Sequence, residues 1–152
     1  MGAELRPAFE GDGDFLFELH RAALGQVIEA TWGPWDDAVQ RRFHDAWFAQ
    51  RARLSVVLVD GERVGVLDVR QRPDRVRYLA RMELVPAVQG QGLGSDLLRD
   101  LIASAAASGA RAVELHVLLG NEPARRLCER FGFRAVSLEP PKCRMRLSLG
   151  AL

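Results

Sequence analysis

Three glycines alternate with other residues in segment 89–94, which reads Gln89-Gly90-Gln91-Gly92-Leu93-Gly94. A strand-like run ends just before it at Val85, and apolar residues at helical spacing follow from Leu93. Glycine lets backbone N–H groups point into one concavity, and a helix N-terminus behind them adds about half a positive charge. The segment therefore predicts a loop suited to a phosphate or pyrophosphate.

Other kinds of glycine loop fit this segment less well. A Walker P-loop needs Gly-Lys-Ser/Thr, and the chain has no lysine before Lys142. A Rossmann loop needs Gly-x-Gly-x-x-Gly, whereas the spacing here is Gly-x-Gly-x-Gly and a strand meander precedes it. A glycine turn without a ligand is the remaining alternative.

The segments on either side of the loop predict an α+β fold with a βαβ crossover at its centre. Before the loop we expect a short strand ending near Pro7, two helices, and a meander of strands over 53–85. After it we expect a helix ending near Gly109, a strand over 113–118, a helix capped by Asn121, and a closing hairpin.

Turn and capping residues predict several boundaries in the first half of the chain. Asp12 or Asp14 would cap the first helix, which is expected to run to about Leu24. Asp36 would cap the second helix, and the dipeptide Asp60-Gly61 predicts a tight hairpin turn.

The composition is that of one globular domain, expected to cover residues 1–152. The chain is 48% hydrophobic and 27% charged, with a formal net charge of +1. It has room for one core, has no apolar run of the ~20 residues that span a membrane, and has no basic field for nucleic acid. Its two cysteines and three histidines are scattered, so we expect neither a metal site nor a disulfide framework. No secretory signal is visible, and we expect a cytoplasmic protein.

Two motifs resemble those of the GCN5-related N-acetyltransferases, the GNAT superfamily. The pattern Gln89-x-x-Gly92-x-Gly94 resembles that family's pyrophosphate loop. The later pattern Asn121-x-x-Ala124-x-x-Leu127-Cys128-x-x-x-Gly132-Phe133 resembles its second motif, in which a tyrosine stands where this chain has Cys128. The resemblance implies the GNAT fold, a mostly antiparallel twisted sheet of about six or seven strands with a splayed pair formed by the fourth and fifth strands, flanked by about four helices.

The resemblance also implies that acetyl-CoA is the cofactor. Its pantetheine arm would bond to backbone at the end of the fourth strand, and its pyrophosphate to the amides of the glycine loop. Asn121 would bond the pantetheine or phosphate region, and Arg125 or Arg126 would reach the nucleotide phosphates, although a helix arginine is more often only solvated. The residues assigned to the cofactor are Leu84, Val85, Gln89, Gly90, Gln91, Gly92, Leu93, Gly94, Ser95, Asn121 and Arg126.

Acetyl transfer to an amine needs a neutral amine and a proton for the departing thiolate. His116 stands twelve residues before Cys128, where some family members carry a catalytic carboxylate, and is the candidate base; a structural histidine is the alternative. Cys128 is either the proton donor in place of tyrosine or a packed thiol. Glu83, a charge between two apolar residues, and Tyr78 are rival bases.

The acceptor is expected to be a primary amine on a small molecule or a peptide. Trp32 and Trp35 resemble a tryptophan-bearing loop of some small GNAT proteins, and with Tyr78 they would line the acceptor pocket; alternatively, the tryptophans anchor the second helix. Two further functions stay open: a weakly active acyl-CoA-binding module with a regulatory role, and an acyltransferase for longer acyl-CoA. No nucleic acid or membrane partner is expected, and a homodimer is compatible with the resemblance.

Overall fold

A computed structural model describes residues 2–150, over which the chain forms seven β-strands and four α-helices. The strands are β1 (Glu4–Pro7), β2 (Leu54–Val59), β3 (Glu62–Gln71), β4 (Val76–Leu84), β5 (Ala112–Leu118), β6 (Arg134–Glu139) and β7 (Lys142–Ser148). The helices are α1 (Gly13–Trp32), α2 (Asp37–Phe48), α3 (Leu93–Ala107) and α4 (Glu122–Arg130). Short 3-10 helices cover Glu10–Asp12, Arg51–Arg53 and Pro86–Val88.

Within residues 2–150 the strands form a seven-stranded sheet in the order β1-β2-β3-β4-β5-β7-β6. Strands β4 and β5 are parallel, with Val76–Leu79 opposite Ala112–Leu115. The pairs β1/β2, β2/β3, β5/β7 and β6/β7 are antiparallel. The predicted α+β fold and its βαβ crossover are therefore confirmed.

Contacts along the chain define two compact units. The first comprises the chain up to Asp68 together with Arg81–Leu93, and the second comprises Val69–Ala80 together with the chain from Gly94 onward. Strands β3 and β4 each divide between the two units. The expected single domain over residues 1–152 stays a prediction.

The core of the first unit forms around helix α1. Leu16 and Leu19 are buried against Leu54 of β2 and Val66 of β3. The predicted end of this helix near Leu24 is wrong, because buried residues continue at helical spacing to Ile28 and α1 ends only at Trp32. The next residue, Gly33, has φ of 98°, which stops the helix.

Asp36 caps α2 as predicted, whereas Asp12 occupies the N-cap position of α1 without a side-chain cap hydrogen bond. The Val39 N–H donates to Asp36 Oδ1 at 3.1 Å at the start of α2. Asp12 makes no side-chain cap for α1, because its fully buried carboxylate accepts from Arg6 at 2.8 Å and Arg63 at 3.2 Å instead. The Arg6 hydrogen bond lowers the pKa of Asp12 to about 2, so this carboxylate stays ionised.

The second unit is built on the apolar face of α3 and the inner strands. Leu97, Leu98, Leu101 and Ala105 are buried, as the helical spacing predicts. Val113 of β5 and Met145 of β7 are also buried. The helix is followed by Gly109 with φ of 84°, which confirms the predicted C-terminal glycine.

Among the glycines described in the first unit, Gly65 on β3 has the least room for a side chain. A Cβ at this position would lie 2.5 Å from the Glu83 carbonyl oxygen and 2.6 Å from Leu84 Cδ2. Glycine therefore lets β3 approach the end of β4 closely, and this approach holds the backbone of Glu83 in place.

We expect Gly65→Ala to lower the free energy of unfolding by about 1–3 kcal/mol, because the methyl group has no room beside the Glu83 backbone. Urea unfolding measures the change. Gly2→Ala is the matched control, since a Cβ at Gly2 would meet nothing within 4 Å. A Gly65→Ala protein as stable as that control contradicts the close packing.

His44 lies buried on α2 among aromatic rings. Its imidazole stacks on Phe48 with centroids 5.6 Å apart and meets the edge of Phe17 at 5.4 Å. Among the described residues, His44 Nδ1 has no hydrogen-bond partner. Burial lowers the pKa of His44, because the cluster solvates an imidazolium poorly.

The lowered pKa of His44 predicts a loss of stability in mild acid. Below about pH 6.5 the unfolded chain binds a proton at His44 that the folded chain does not take up, so the free energy of unfolding falls as the pH falls. Urea unfolding at pH 7.5 and pH 5.5 should show this drop, and His44→Leu should reduce it. An equal drop in both proteins would assign the effect to other groups.

Candidate active site

The glycine loop leaves β4 and leads directly into α3. Gly90 has φ of 77° and Gly92 has φ of 85°, so both adopt backbone conformations that side chains disfavour. A Cβ placed on either residue would meet nothing within 4 Å. Because α3 begins at Leu93, the loop offers open space and a helix N-terminus, which together suit an anion.

Gln89 fastens this loop to the end of β4. Its side-chain amide donates to the Leu84 carbonyl at 2.9 Å, and the Val85 N–H donates to the Val64 carbonyl at 2.8 Å. The Gln91 side-chain amide donates to the Ala87 carbonyl of the preceding 3-10 helix at 3.1 Å. The two glutamine side chains thus brace the loop, and the contacts available to a ligand there come from the backbone.

Helix α4 and its N-cap residue supply two further residues assigned to the cofactor, Asn121 and Arg126. Asn121 Oδ1 accepts from the Ala124 N–H at 3.4 Å, which confirms Asn121 as the N-cap. Arg126 donates to Glu122 at 2.9 Å on the exposed side of the helix. The side-chain oxygen of Asn121 is therefore occupied by the helix cap, and its side-chain NH2 group is available to a ligand.

Cys128 is 5% exposed on the inner side of α4. Burial raises the pKa of the Cys128 thiol to about 11. Such a thiol stays protonated and is a weak acid, so its surroundings favour a packing role. Its role as proton donor stays a prediction.

Three polar side chains of the second unit form a hydrogen-bonded row. His116 Nδ1 lies 2.7 Å from Tyr78 Oη, and His116 Nε2 lies 3.0 Å from Glu139 Oε1. Tyr78 lies on β4, His116 on β5, and Glu139 at the end of β6. The sequence singled out Tyr78 and His116, but it carried no signal for Glu139, which lies 23 residues further along the chain.

Glu114 lies beside this row and is almost fully buried. Its carboxylate accepts from Arg72 at 2.9 Å, Arg144 at 3.3 Å and Arg146 at 2.5 Å. Burial opposes ionisation of Glu114, but these arginines outweigh it and lower its pKa. Glu114 is therefore a structural anion, and its oxygens are committed to guanidinium groups.

In the first unit, Glu83 pairs with His20 of α1. Glu83 is 4% exposed, and its Oε2 lies 2.6 Å from His20 Nδ1 and 3.8 Å from Arg81 Nε. Among the described residues, Glu83 Oε1 has no hydrogen-bond partner. The sequence predicted a partner or a functional role for this buried charge, but could not name His20, which is 63 residues away.

The two tryptophans assigned to the acceptor have different surroundings. Trp32 is 60% exposed at the end of α1. Trp35 is partly buried, meets the edge of Phe17 at 6.1 Å, and donates its indole N–H to Asp37 at 3.1 Å. An open groove of about 480 Å³ runs along α1 and includes Trp35 and Gln89 in its walls.

The structure distributes the predicted site residues over its two units. The first unit contains Trp32, Trp35, Glu83, Leu84, Val85 and loop residues 89–93. The second contains Tyr78, Gly94, Ser95, His116, Asn121, Arg126 and Cys128. Of these, the hydrogen bonds bring Tyr78 and His116 together, and Gln89 to Leu84. No cluster of metal-ligating side chains occurs among residues 2–150, and no helix described there is long and apolar enough to cross a membrane.

The order of elements, the glycine loop and the α4 cap agree with one family of enzymes. The model of the acetyltransferase (GNAT) family matches residues 14–133. The chain belongs to this family. GNAT enzymes use acetyl-CoA, and the open positions at Gly90 and Gly92 fit its pyrophosphate.

Solved structures with the same fold support this placement. PaiA N-acetyltransferase from Thermoplasma acidophilum, in complex with coenzyme A, is 15% identical over 97% of this chain and 99% of its own, with a TM-score of 0.79. The Escherichia coli ribosomal-protein-S18-alanine N-acetyltransferase is 19% identical over 99% and 96%, with a TM-score of 0.71. Spermidine N-acetyltransferase from Vibrio cholerae, with CoA and spermine, is 18% identical over 96% and 95%, with a TM-score of 0.69. At these identities the likeness concerns the fold.

We expect the thiol of Cys128 in this GNAT chain to resist alkylation. A Cys143→Ala variant leaves Cys128 as the only thiol, and at pH 8 its raised pKa should slow its reaction with iodoacetamide by at least about 100-fold relative to the same protein in urea. Labelling followed by mass spectrometry gives both rates. Equal rates in native and unfolded protein would show that the thiol is accessible and ionised.

Proposed function

We propose that this chain is an acetyl-CoA-dependent N-acetyltransferase that transfers the acetyl group directly to a primary amine. The observation that carries the proposal is the glycine loop at the start of α3. Gly90 and Gly92 of this loop have positive φ and open Cβ positions, which is the backbone that close approach of a pyrophosphate requires.

The cofactor contacts in this proposal come mainly from backbone. The N–H groups of the first turn of α3 have no acceptor inside the helix, so together with the loop amides they bind phosphate oxygens. Residues 89–95 hold the pyrophosphate, and backbone near Leu84 and Val85 holds the pantetheine arm. The Asn121 amide and Arg126 reach the cofactor from α4.

Acetyl-CoA supplies the acyl group as a thioester with a thiolate leaving group. His116 is the base for the acceptor ammonium in this proposal, because its imidazole is partly exposed and hydrogen-bonded to Glu139. Glu83 is the rival base, and its free oxygen supports that role. Its burial against His20 equally suits a structural ion pair.

The acceptor is a primary amine on a small molecule or a peptide. Trp35 and the groove along α1 offer aromatic and polar surface for it, with Trp32 at the end of that helix. The named substrates of two structural neighbours, an alanine of a ribosomal protein and spermidine, are amines of both kinds. We propose a cytoplasmic location, and a homodimer is compatible with this function.

The proposal predicts that acetyl-CoA stabilises the protein. A ligand at about 100 Kd adds about 2.7 kcal/mol to the free energy of unfolding, which raises Tm by about 5–10 °C in a chain of this size. Differential scanning fluorimetry with millimolar acetyl-CoA measures the shift. An unchanged Tm in the wild-type protein would contradict the proposed cofactor.

Gly92→Val should abolish this shift, because the branched side chain fills the space that the pyrophosphate occupies. Gly61→Val is the matched control. Gly61 also has positive φ and open space at its Cβ position, but it lies in the β2–β3 hairpin. Both variants carry a similar backbone strain, so only Gly92→Val should lose acetyl-CoA binding. Full binding by Gly92→Val would refute the placement of the phosphate.

A further inference from the structure

The chain contains a single tyrosine, Tyr78, and it is hydrogen-bonded to the candidate base. The family's usual tyrosine on α4 is replaced by the buried Cys128. We propose that Tyr78 is the proton donor to the leaving thiolate, at the end of a relay in which Glu139 positions His116 and His116 exchanges its proton with Tyr78. This inference rests on the proposed acetyltransferase function.

The hydrogen bonds define where the protons of the relay lie. Bonds from Ser137 and His116 lower the pKa of Glu139, so its carboxylate is ionised and can only accept. His116 Nε2 must then carry the hydrogen that points at Glu139 Oε1. In the neutral ring this leaves the lone pair on Nδ1, which accepts from the Tyr78 hydroxyl at 2.7 Å.

The strand pairing explains why these groups meet. In the parallel β4–β5 pair, Tyr78 lies opposite Glu114, so His116 lies two residues further along the same face of the sheet. In the β5–β7 pair, His116 lies opposite Arg144, whose guanidinium donates to Glu139 Oε2 at 3.2 Å. Arg144 therefore fixes the carboxylate that fixes the imidazole.

The neighbouring carboxylate is not available to hydrogen-bond His116. Glu114, on the same face, has its carboxylate held by Arg72, Arg144 and Arg146. The row Glu139–His116–Tyr78 consequently has one acceptor at its outer end and one transferable proton at its inner end. Tyr78 is partly buried, and burial raises its pKa, which keeps the hydroxyl protonated until a stronger base draws on it.

The proposed relay carries one proton from the acceptor ammonium to the leaving thiolate. The acceptor ammonium gives a proton to Tyr78 Oη while the Tyr78 hydroxyl proton moves to His116 Nδ1, which leaves a neutral amine and an imidazolium. The amine nitrogen then forms a bond to the acyl carbon and the carbon–sulfur bond breaks. The imidazolium returns its proton to Tyr78 Oη, and the Tyr78 hydroxyl proton goes to the thiolate sulfur. The second proton of the amide-forming nitrogen passes to solvent.

The buried Cys128 thiol is less suited than Tyr78 to the role of proton donor. Cys128 has a pKa of about 11 and would have to recover its proton from solvent after each turnover. Tyr78 instead has a titratable partner within hydrogen-bond distance that stores the proton taken from the substrate. The relay thus uses one proton for both the base and the acid step.

The donor role is tested with Tyr78→Phe and two acyl donors. Turnover is measured as release of the free thiol from the acyl donor, with phenethylamine or spermidine as the acceptor. If neither amine is acetylated, hydrolysis of the acyl donor is measured instead. With acetyl-CoA we expect kcat to fall about 100-fold while KM for acetyl-CoA changes less than about threefold. With S-phenyl thioacetate, whose thiol is more acidic, the loss should shrink to less than about tenfold. Equal losses with both donors would overturn proton donation to the thiolate.

The positioning role of Glu139 is tested without any acceptor. Long-range ¹⁵N–¹H NMR at pH 8, with His116 assigned by its loss in His116→Gln, should show the Nε2–H tautomer in the wild-type protein. In Glu139→Ala the two tautomers should mix, and kcat should fall with little change in KM for acetyl-CoA. Glu62→Ala, an exposed position in the β2–β3 hairpin, is the control and should behave like wild type. An Nδ1–H tautomer in the wild-type protein would overturn the relay.

These results separate the relay from the proposed function. A wild-type protein that is not stabilised by acetyl-CoA contradicts the acetyltransferase itself. A wild-type protein that binds acetyl-CoA and releases CoA, with a fully active Tyr78→Phe variant, contradicts only the relay. Fluorimetry of each variant with acetyl-CoA shows that the fold and the cofactor site are intact.

Discussion

The parallel hydrogen bonding between β4 and β5 is the constraint from which the rest of the candidate site follows. Two parallel neighbours cannot be joined by a tight turn, so the chain must leave the end of β4, cross one face of the sheet and return at the start of β5. The glycine loop and α3 are this crossover. The candidate anion site lies there, where a strand end, two glycines of positive φ and a helix N-terminus come in immediate succession.

The same pairing decides which polar side chains meet in the second unit. It places Tyr78 and His116 on one face of neighbouring strands, where β7 and β6 add Arg144 and Glu139. A polar row of this kind is costly in a sheet unless every member finds a partner. The arginines around Glu114 neutralise its buried charge, and this leaves Glu139 as the carboxylate that holds His116.

Much of the fold was predictable because its signals are local. The Asp36 and Asn121 caps, the Gly109 helix end and the helical face of α3 each depend on residues within a few positions of one another, and all are confirmed. The end of α1 was misjudged because its continuation depends on burial of Ile28 in a core made by other elements. Asp12 stands at the predicted N-cap position but makes no cap bond, because its carboxylate binds Arg6 and Arg63, and Arg63 lies 51 residues away.

The sequence by itself determined the family, the glycine loop and the absence of the usual tyrosine at Cys128, because motifs and spacings are properties of consecutive residues. Only the tertiary structure decided how the titratable groups pair. It joined His20 to Glu83 and joined Tyr78, His116 and Glu139 into one row, over separations of 23 to 63 residues. Such pairings depend on strand register and on burial. The position of a charged residue in one strand does not indicate which distant side chain will face it.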